Sequence, residues 1–105
     1  MPAFKIDETV AEDGVELGLA GDLDMSATFA LEPVLDRVLA GDPRELVLDL
    51  EDVAFVDSSG LGLLIATNER AVREGVAMAI KGAGPEIQRV FAIAGLEGVL
   101  PVRPV

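Results

Sequence analysis

The chain has 105 residues, 19 acidic and 8 basic side chains and a net charge of −11, with no cysteine, histidine, tryptophan or tyrosine. One domain fits that length, with a core that needs no disulfide or metal staple. Without Cys or His there is no usual zinc site, no disulfide framework and no Cys/His or Ser/His catalytic pair, and the negative balance argues against direct binding of nucleic acid.

Met1 to Glu8 carries one base and then acids, with no apolar run of the kind a signal peptide needs. The longest apolar stretch, Leu61 to Ala66, is far too short to insert in a membrane. The expectation is a cytoplasmic protein. Phe4 and Ile6 alternate with Lys5 and Asp7, a strand pattern. Val15, Leu17 and Leu19 alternate in the same way, and Glu12-Asp13-Gly14 between them is turn chemistry. The two form a hairpin, with Gly21 and Asp22 ending its second strand.

A helix is predicted from about Ser26 to Ala40, with Leu31, Val34, Leu35, Val38 and Leu39 at helical spacing. Asp24, Ser26 and Thr28 are all plausible caps, and Gly41 is the stop. Pro33 allows two outcomes: a kink, or a regular helix that starts only near Leu31. Leu46 to Leu50 is nearly continuous and apolar, as a central strand covered on both faces would be. Val53, Phe55 and Val56 extend an apolar segment into Asp57. A second helix, about Ser59 to Glu74, has Leu61, Leu64, Ile65, Ala71 and Val72 as its apolar stripe. Glu69 with Arg73 and Arg70 with Glu74 are its i,i+4 pairs, and Gly75 closes it. Val76 to Ile80 is a short strand. Pro85 opens a third helix, with Ile87, Val90, Phe91 and Ile93 as apolar positions and Gly95 as the stop. Val99 to Val102 is a last strand that Pro101 confines to an edge. The order β-β-α-β-α-β-α-β describes an α/β domain with a mixed sheet. It opens with an N-terminal hairpin, and the second hairpin strand begins a β-α-β-α-β-α-β run with helices packed on the sheet.

Charge is unevenly placed along this order. Residues 1–57 hold 15 acids and 3 bases, a net of −12, whereas residues 58–105 hold 4 acids and 5 bases, a net of +1. The acidity either keeps a surface solvated or steers a basic partner.

The boundary falls at Asp57-Ser58-Ser59-Gly60-Leu61-Gly62, on a strand-to-helix junction. Asp and Ser there can cap the helix and nothing more. Alternatively, a helix start tolerates an anion, and a serine in it can accept a phosphate. Phosphorylation would add about −1.5 to −2 charge beside Asp57.

Val47-Leu48-Asp49-Leu50 and then Val53-Ala54-Phe55-Val56-Asp57-Ser58-Ser59-Gly60-Leu61-Gly62 resemble the core motif of the STAS domain. More narrowly, they resemble the bacterial anti-sigma factor antagonists (anti-anti-sigma factors). Leu19-Ala20-Gly21-Asp22-Leu23-Asp24 is similar to the family's Leu-x-Gly-Glu-Leu-Asp segment, with Asp22 in place of Glu. Ile87-Gln88-Arg89-Val90-Phe91 with Gly95-Leu96 is similar to its third-helix signature. The resemblance implies a single STAS domain over 1–105 that works by partner switching. The unphosphorylated form would bind an anti-sigma factor that is also a serine kinase of the GHKL ATPase type, freeing the sigma factor. Phosphorylation would dissociate the pair, and a metal-dependent serine phosphatase would reverse it. By position the acceptor is Ser58, with Ser59 the less favoured neighbour. Asp22, Asp24, Asp57, Ser58, Ser59, Gly60, Leu61 and Gly62 are the implied partner-binding residues. Gly60 and Gly62 would permit close approach of the kinase, and Leu61 would anchor the helix. Asp24 is implied in recognition, although capping the first helix would also account for it.

No residue is assigned a catalytic or metal-binding role, and no cofactor is expected. An enzyme is disfavoured: there is no Gly-x-Ser-x-Gly elbow, no His base and no Gly-x-x-x-x-Gly-Lys loop. The alternative is a STAS docking subunit without a switch, in a lipid transporter or a stressosome-like scaffold. The intact Asp-Ser-Ser-Gly favours the switching antagonist.

Overall fold

Alternating apolar residues build the first two strands, β1 (Lys5–Ala11) and β2 (Gly14–Leu23), joined by a tight turn at Glu12 and Asp13. The remaining elements follow as α1 (Met25–Ala40), β3 (Glu45–Val56), α2 (Ser58–Glu74), β4 (Ala77–Lys81) and α3 (Pro85–Ile93). The computed structural model describes residues 3–103. The two residues at each end of the expected 1–105 domain, Met1 and Pro2 among them, lie outside the described residues.

The sheet has the order β1-β2-β3-β4, antiparallel at β1–β2 and parallel at β2–β3 and β3–β4. Parallel neighbours need a crossover, and α1 and α2 supply the two crossovers. Both helices therefore start at the carboxyl end of the sheet and run side by side, in contact with each other. Leu17, Leu48 and Ile80 face one another across three strands and are fully buried. Around them pack Leu31 and Leu35 of α1, Leu64 and Ala71 of α2, and Ile87 and Phe91 of α3. Alternation sends Glu16, Val47 and Ala79 to the opposite face, where Lys81 pairs with Glu16 at 2.9 Å and Arg103 with Glu45 at 3.3 Å.

Several elements depart from their predicted form. The last strand is reduced to one parallel bridge between Val102 and Ile80. The proline nitrogen at 101 has no hydrogen to donate, and the Val99 and Leu100 amides are used in a turn onto Leu96. Leu46–Leu50 and Val53–Val56 are one strand of 12 residues. Its register with β2 slips between Gly18 and Ala20 and again between Gly21 and Asp22. The two bulges change the inward spacing, so that Leu50, Val53 and Val56 are buried in turn. They also carry β2 past Gly21 and Asp22 to Leu23. The helix α1 starts at Met25, not near Leu31, and Pro33 lies inside it on the exposed side. Val72 and Ile93, predicted on apolar stripes, are 72% and 78% exposed because both lie off the buried arc of their helices. Arg70 does pair with Glu74, and it reaches Asp36 of α1 as well.

No helix among the described residues is long and apolar enough to cross a membrane. Truncating Leu48 to alanine should cost about 3 kcal/mol, the usual range for an enclosed leucine, in urea unfolding. Val10→Ala, at a side chain 69% exposed on the edge strand, should shift stability by under about 0.5 kcal/mol.

Candidate functional site

The last paired residues of the two central strands are Leu23 and Val56. One residue beyond each stands an aspartate, Asp24 and Asp57, at the start of α1 and α2. The two caps have nearly the same geometry. Asp24 has φ −107° and ψ −173°, and its Oδ1 accepts the Ala27 amide at 3.0 Å. Asp57 has φ −99° and ψ −174°, and its Oδ1 accepts the Gly60 amide at 3.0 Å. Each satisfies an amide the helix cannot pair internally. Both cap roles suggested by sequence for these aspartates are therefore filled. Ser26 and Thr28 lie within α1 and do not cap it.

The α2 start is pressed against the end of β2. The Asp57 amide donates to the Leu23 carbonyl at 3.3 Å. Gly60 is buried there: a Cβ on it would overlap the Leu23 carbonyl oxygen and come within 2.9 Å of the Leu23 side chain. A contact inside the chain therefore requires glycine at this position. Gly62 is different. It is exposed, and a Cβ there would meet nothing within 4 Å, so nothing in the fold requires glycine at this position. Leu61 is half-buried against the core and anchors the helix.

The two serines are not equivalent. Ser58, the first residue of α2, is exposed, whereas Ser59 is half-buried. Asp22 is exposed, and Asp24 and Asp57 are half-buried around the same strand ends. Asp22 and Asp24 line an open groove of about 600 Å³ together with Asp52, Phe4, Lys5 and Ser26. Asp52 was not singled out from sequence. The β2–β3 register that pairs Ala20 with Asp52 brings it there.

The acidity is partitioned in space. Five ion pairs take up carboxylates elsewhere: Arg37 with Glu8, Arg70 with Asp36 and Glu74, Lys81 with Glu16, and Arg103 with Glu45. The Arg37 hydrogen bond holds the Glu8 carboxyl below its usual range. Asp22, Asp24, Asp52 and Asp57 have no basic partner among the described residues. Large apolar side chains are also exposed at this end of the molecule: Met25 (59%), Phe29 (71%) and Phe55 (51%). Sequence reasoning missed the first two. Their signal was there, since both fall off the Leu31-Leu35-Val38 stripe. No group of carboxylates among the described residues is arranged to hold a metal ion.

Residues 6–102 match the family model described as "Mlab, STAS domain". The "Anti-sigma-B factor antagonist" of Staphylococcus aureus is 31% identical over 99 residues, 94% of this chain and 92% of that protein. The "Anti-sigma-F factor antagonist RsfB" of Mycobacterium tuberculosis is 35% identical over 91 residues, 85% of this chain and 74% of its own. Among solved structures, an anti-sigma factor antagonist from Mycobacterium paratuberculosis superposes with a TM-score of 0.87 at 29% identity, covering 98% of this chain and 87% of that one. The Bacillus protein SpoIIAA in its phosphorylated form has the same fold, with a TM-score of 0.72 at 22% identity over 97% of this chain and 92% of that one.

The two glycines of α2 should answer oppositely to alanine. Gly62→Ala should stabilise by up to about 1 kcal/mol, because it fills open space in a helix. Gly60→Ala should destabilise by about 1–3 kcal/mol, because it forces α2 off Leu23. Thermal unfolding of the two variants checks the pair.

Proposed function

The chain belongs to the STAS domain family, with the anti-sigma factor antagonists, and from that premise we propose that it is itself an anti-sigma factor antagonist switched by phosphorylation of Ser58. Its unphosphorylated form binds an anti-sigma factor that is also a serine kinase of the GHKL ATPase type, and so frees a sigma factor. The kinase transfers the γ-phosphoryl group of ATP to the Ser58 hydroxyl, ADP leaves, and the complex separates. A serine phosphatase hydrolyses the phosphoserine and restores the binding form. The cycle runs in the cytoplasm, and the domain is a binding protein and a phosphate acceptor with no catalysis of its own.

The observation that carries this reading is the exposure of Ser58 at a helix start whose nearest carboxylates are unpaired. Asp57 already occupies the Gly60 amide, so a phosphate on Ser58 is not drawn into that capping position. It stays on the surface, and its charge adds to Asp22, Asp24 and Asp57. The domain keeps its fold while the potential of the docking face changes. The half-buried position of Ser59 supports Ser58 as the acceptor. A STAS docking subunit of another assembly would share the fold, but it would have no use for the exposed serine.

Two measurements test the reading. Ser58→Ala should bind the anti-sigma factor about as well as the parent and take up no phosphate. Ser58→Asp should bind at least about tenfold more weakly, since like charge at an interface costs a kcal/mol or more. Equal affinity of the two variants would contradict the switch. The association rate of the parent should fall steeply between low and physiological salt, because unpaired surface carboxylates act through a screened field. A flat response would remove them from recognition.

A further inference from the structure

The seam between α1 and α2 has a second property that neither the caps nor the serine uses. Asp36 of α1 meets Arg70 of α2 at 2.7 Å, and Glu32, Leu35 and Leu39 face Leu63, Ala66 and Thr67 along the same seam. Two helical turns toward the N-termini from Asp36 and Arg70 lie Phe29 and Leu63, and one turn further lie Met25 and Ser59. Met25 and Phe29 are four residues apart and so share one side of α1. Opposite them on α2 stand the half-buried Leu63 and Ser59, and the row Ser58, Gly62 and Ala66 that runs beside these toward solvent is small and exposed. The result is an apolar ledge on one helix above a low surface on the next, with Ser58 at its end. Two large apolar side chains exposed at 59% and 71% on adjacent turns are not needed by the fold. Exposed apolar clusters with a polar rim mark contact surfaces. Here the rim is acidic: Asp24, next to Met25, and Glu32, one turn on from Phe29, have no ion-pair partner among the described residues.

We infer that Met25 and Phe29 are the apolar anchors of the docking face. Their occupant is a segment of the anti-sigma factor that brings an apolar side chain flanked by Lys or Arg. The inference rests on the function proposed above and adds a division of labour to it. The ledge supplies affinity that excludes water, through a few large side chains. The carboxylates supply the match to a basic partner, and Ser58 beside them supplies the control. Gly62 and Ala66 matter by their smallness, which lets the partner segment lie against α2.

The test uses the full chain and purified anti-sigma factor serine kinases, taking the one that phosphorylates the parent protein. Phe29→Ser and Met25→Ser should each weaken its binding by about tenfold or more, as truncation of interface anchors does. Val72→Ser, at a side chain 72% exposed near the C-terminal end of α2 and about 20 Å along the helix from Ser58, should leave binding unchanged. Thermal unfolding of all three variants should stay near that of the parent, because none of the side chains is buried. Gly62→Leu, which raises the low side of the groove, should weaken binding as well and gives a reading independent of the α1 variants. If the parent binds and Ser58→Asp releases it, yet Phe29→Ser and Met25→Ser bind normally, the switch stands and the ledge is overturned. If no anti-sigma factor kinase binds or modifies the parent, the proposed function fails and the ledge loses its occupant with it. If the free protein sediments as a dimer that Phe29→Ser dissociates, the ledge belongs to a second copy of the chain, and the inference is likewise overturned.

Discussion

The site depends on one backbone contact, the seating of the first turn of α2 on the carbonyl of Leu23. That carbonyl accepts the Asp57 amide and leaves no room for a Cβ at residue 60. The contact exists because β2 and β3 are parallel and end together, so that each strand passes into its helix at the same level. From it follow the twin aspartate caps, the exposure of Ser58 and the alignment of α1 with α2. In the proposed switch this junction would present the Ser58 side chain, with or without a phosphate on it. Only its charge has to change.

The arrangement of charge fits that economy. Basic side chains are few, and those in ion pairs tie α1 to the outer hairpin (Arg37), span the helix seam (Arg70) or lie on the open sheet face (Lys81 and Arg103). The carboxylates at the carboxyl end of the central strands are left without them. The field there is negative before any phosphate arrives, which favours a basic partner and makes a further negative charge costly to an interface formed around it. Strong net charge tends to keep a small domain soluble. Here the ion pairs lie elsewhere and leave Asp22, Asp24, Asp52 and Asp57 free of them among the described residues.

Most of the fold was legible from local pattern. The hairpin, the three helices and the parallel core strand follow from periodicity, turn residues and caps, and Asp57 reads as a cap from its place before an apolar stripe. The motif around Ser58 was equally plain. Two kinds of information were not local. The bulges in the β2–β3 pair are set by the fit of two strands, so neither the length of β3 nor the place of Asp52 could be read from one strand alone. The role of Gly60 depends on Leu23, far away in sequence, and only the packed structure separates it from Gly62, two residues on. The exposed pair Met25 and Phe29 lay between these cases: the helical wheel sets them apart, but apolar residues invite assignment to a core.

Phosphotransfer in a defined mixture tests the central claim most directly. The protein is incubated with purified anti-sigma factor serine kinases and ATP, and the modified chain is mapped by fragmentation mass spectrometry. The account predicts one phosphate, on Ser58, and loss of the complex as that phosphate accumulates. A phosphate on Ser59 or Ser26 with Ser58 unmodified, or a complex that persists after Ser58 is fully phosphorylated, would contradict it.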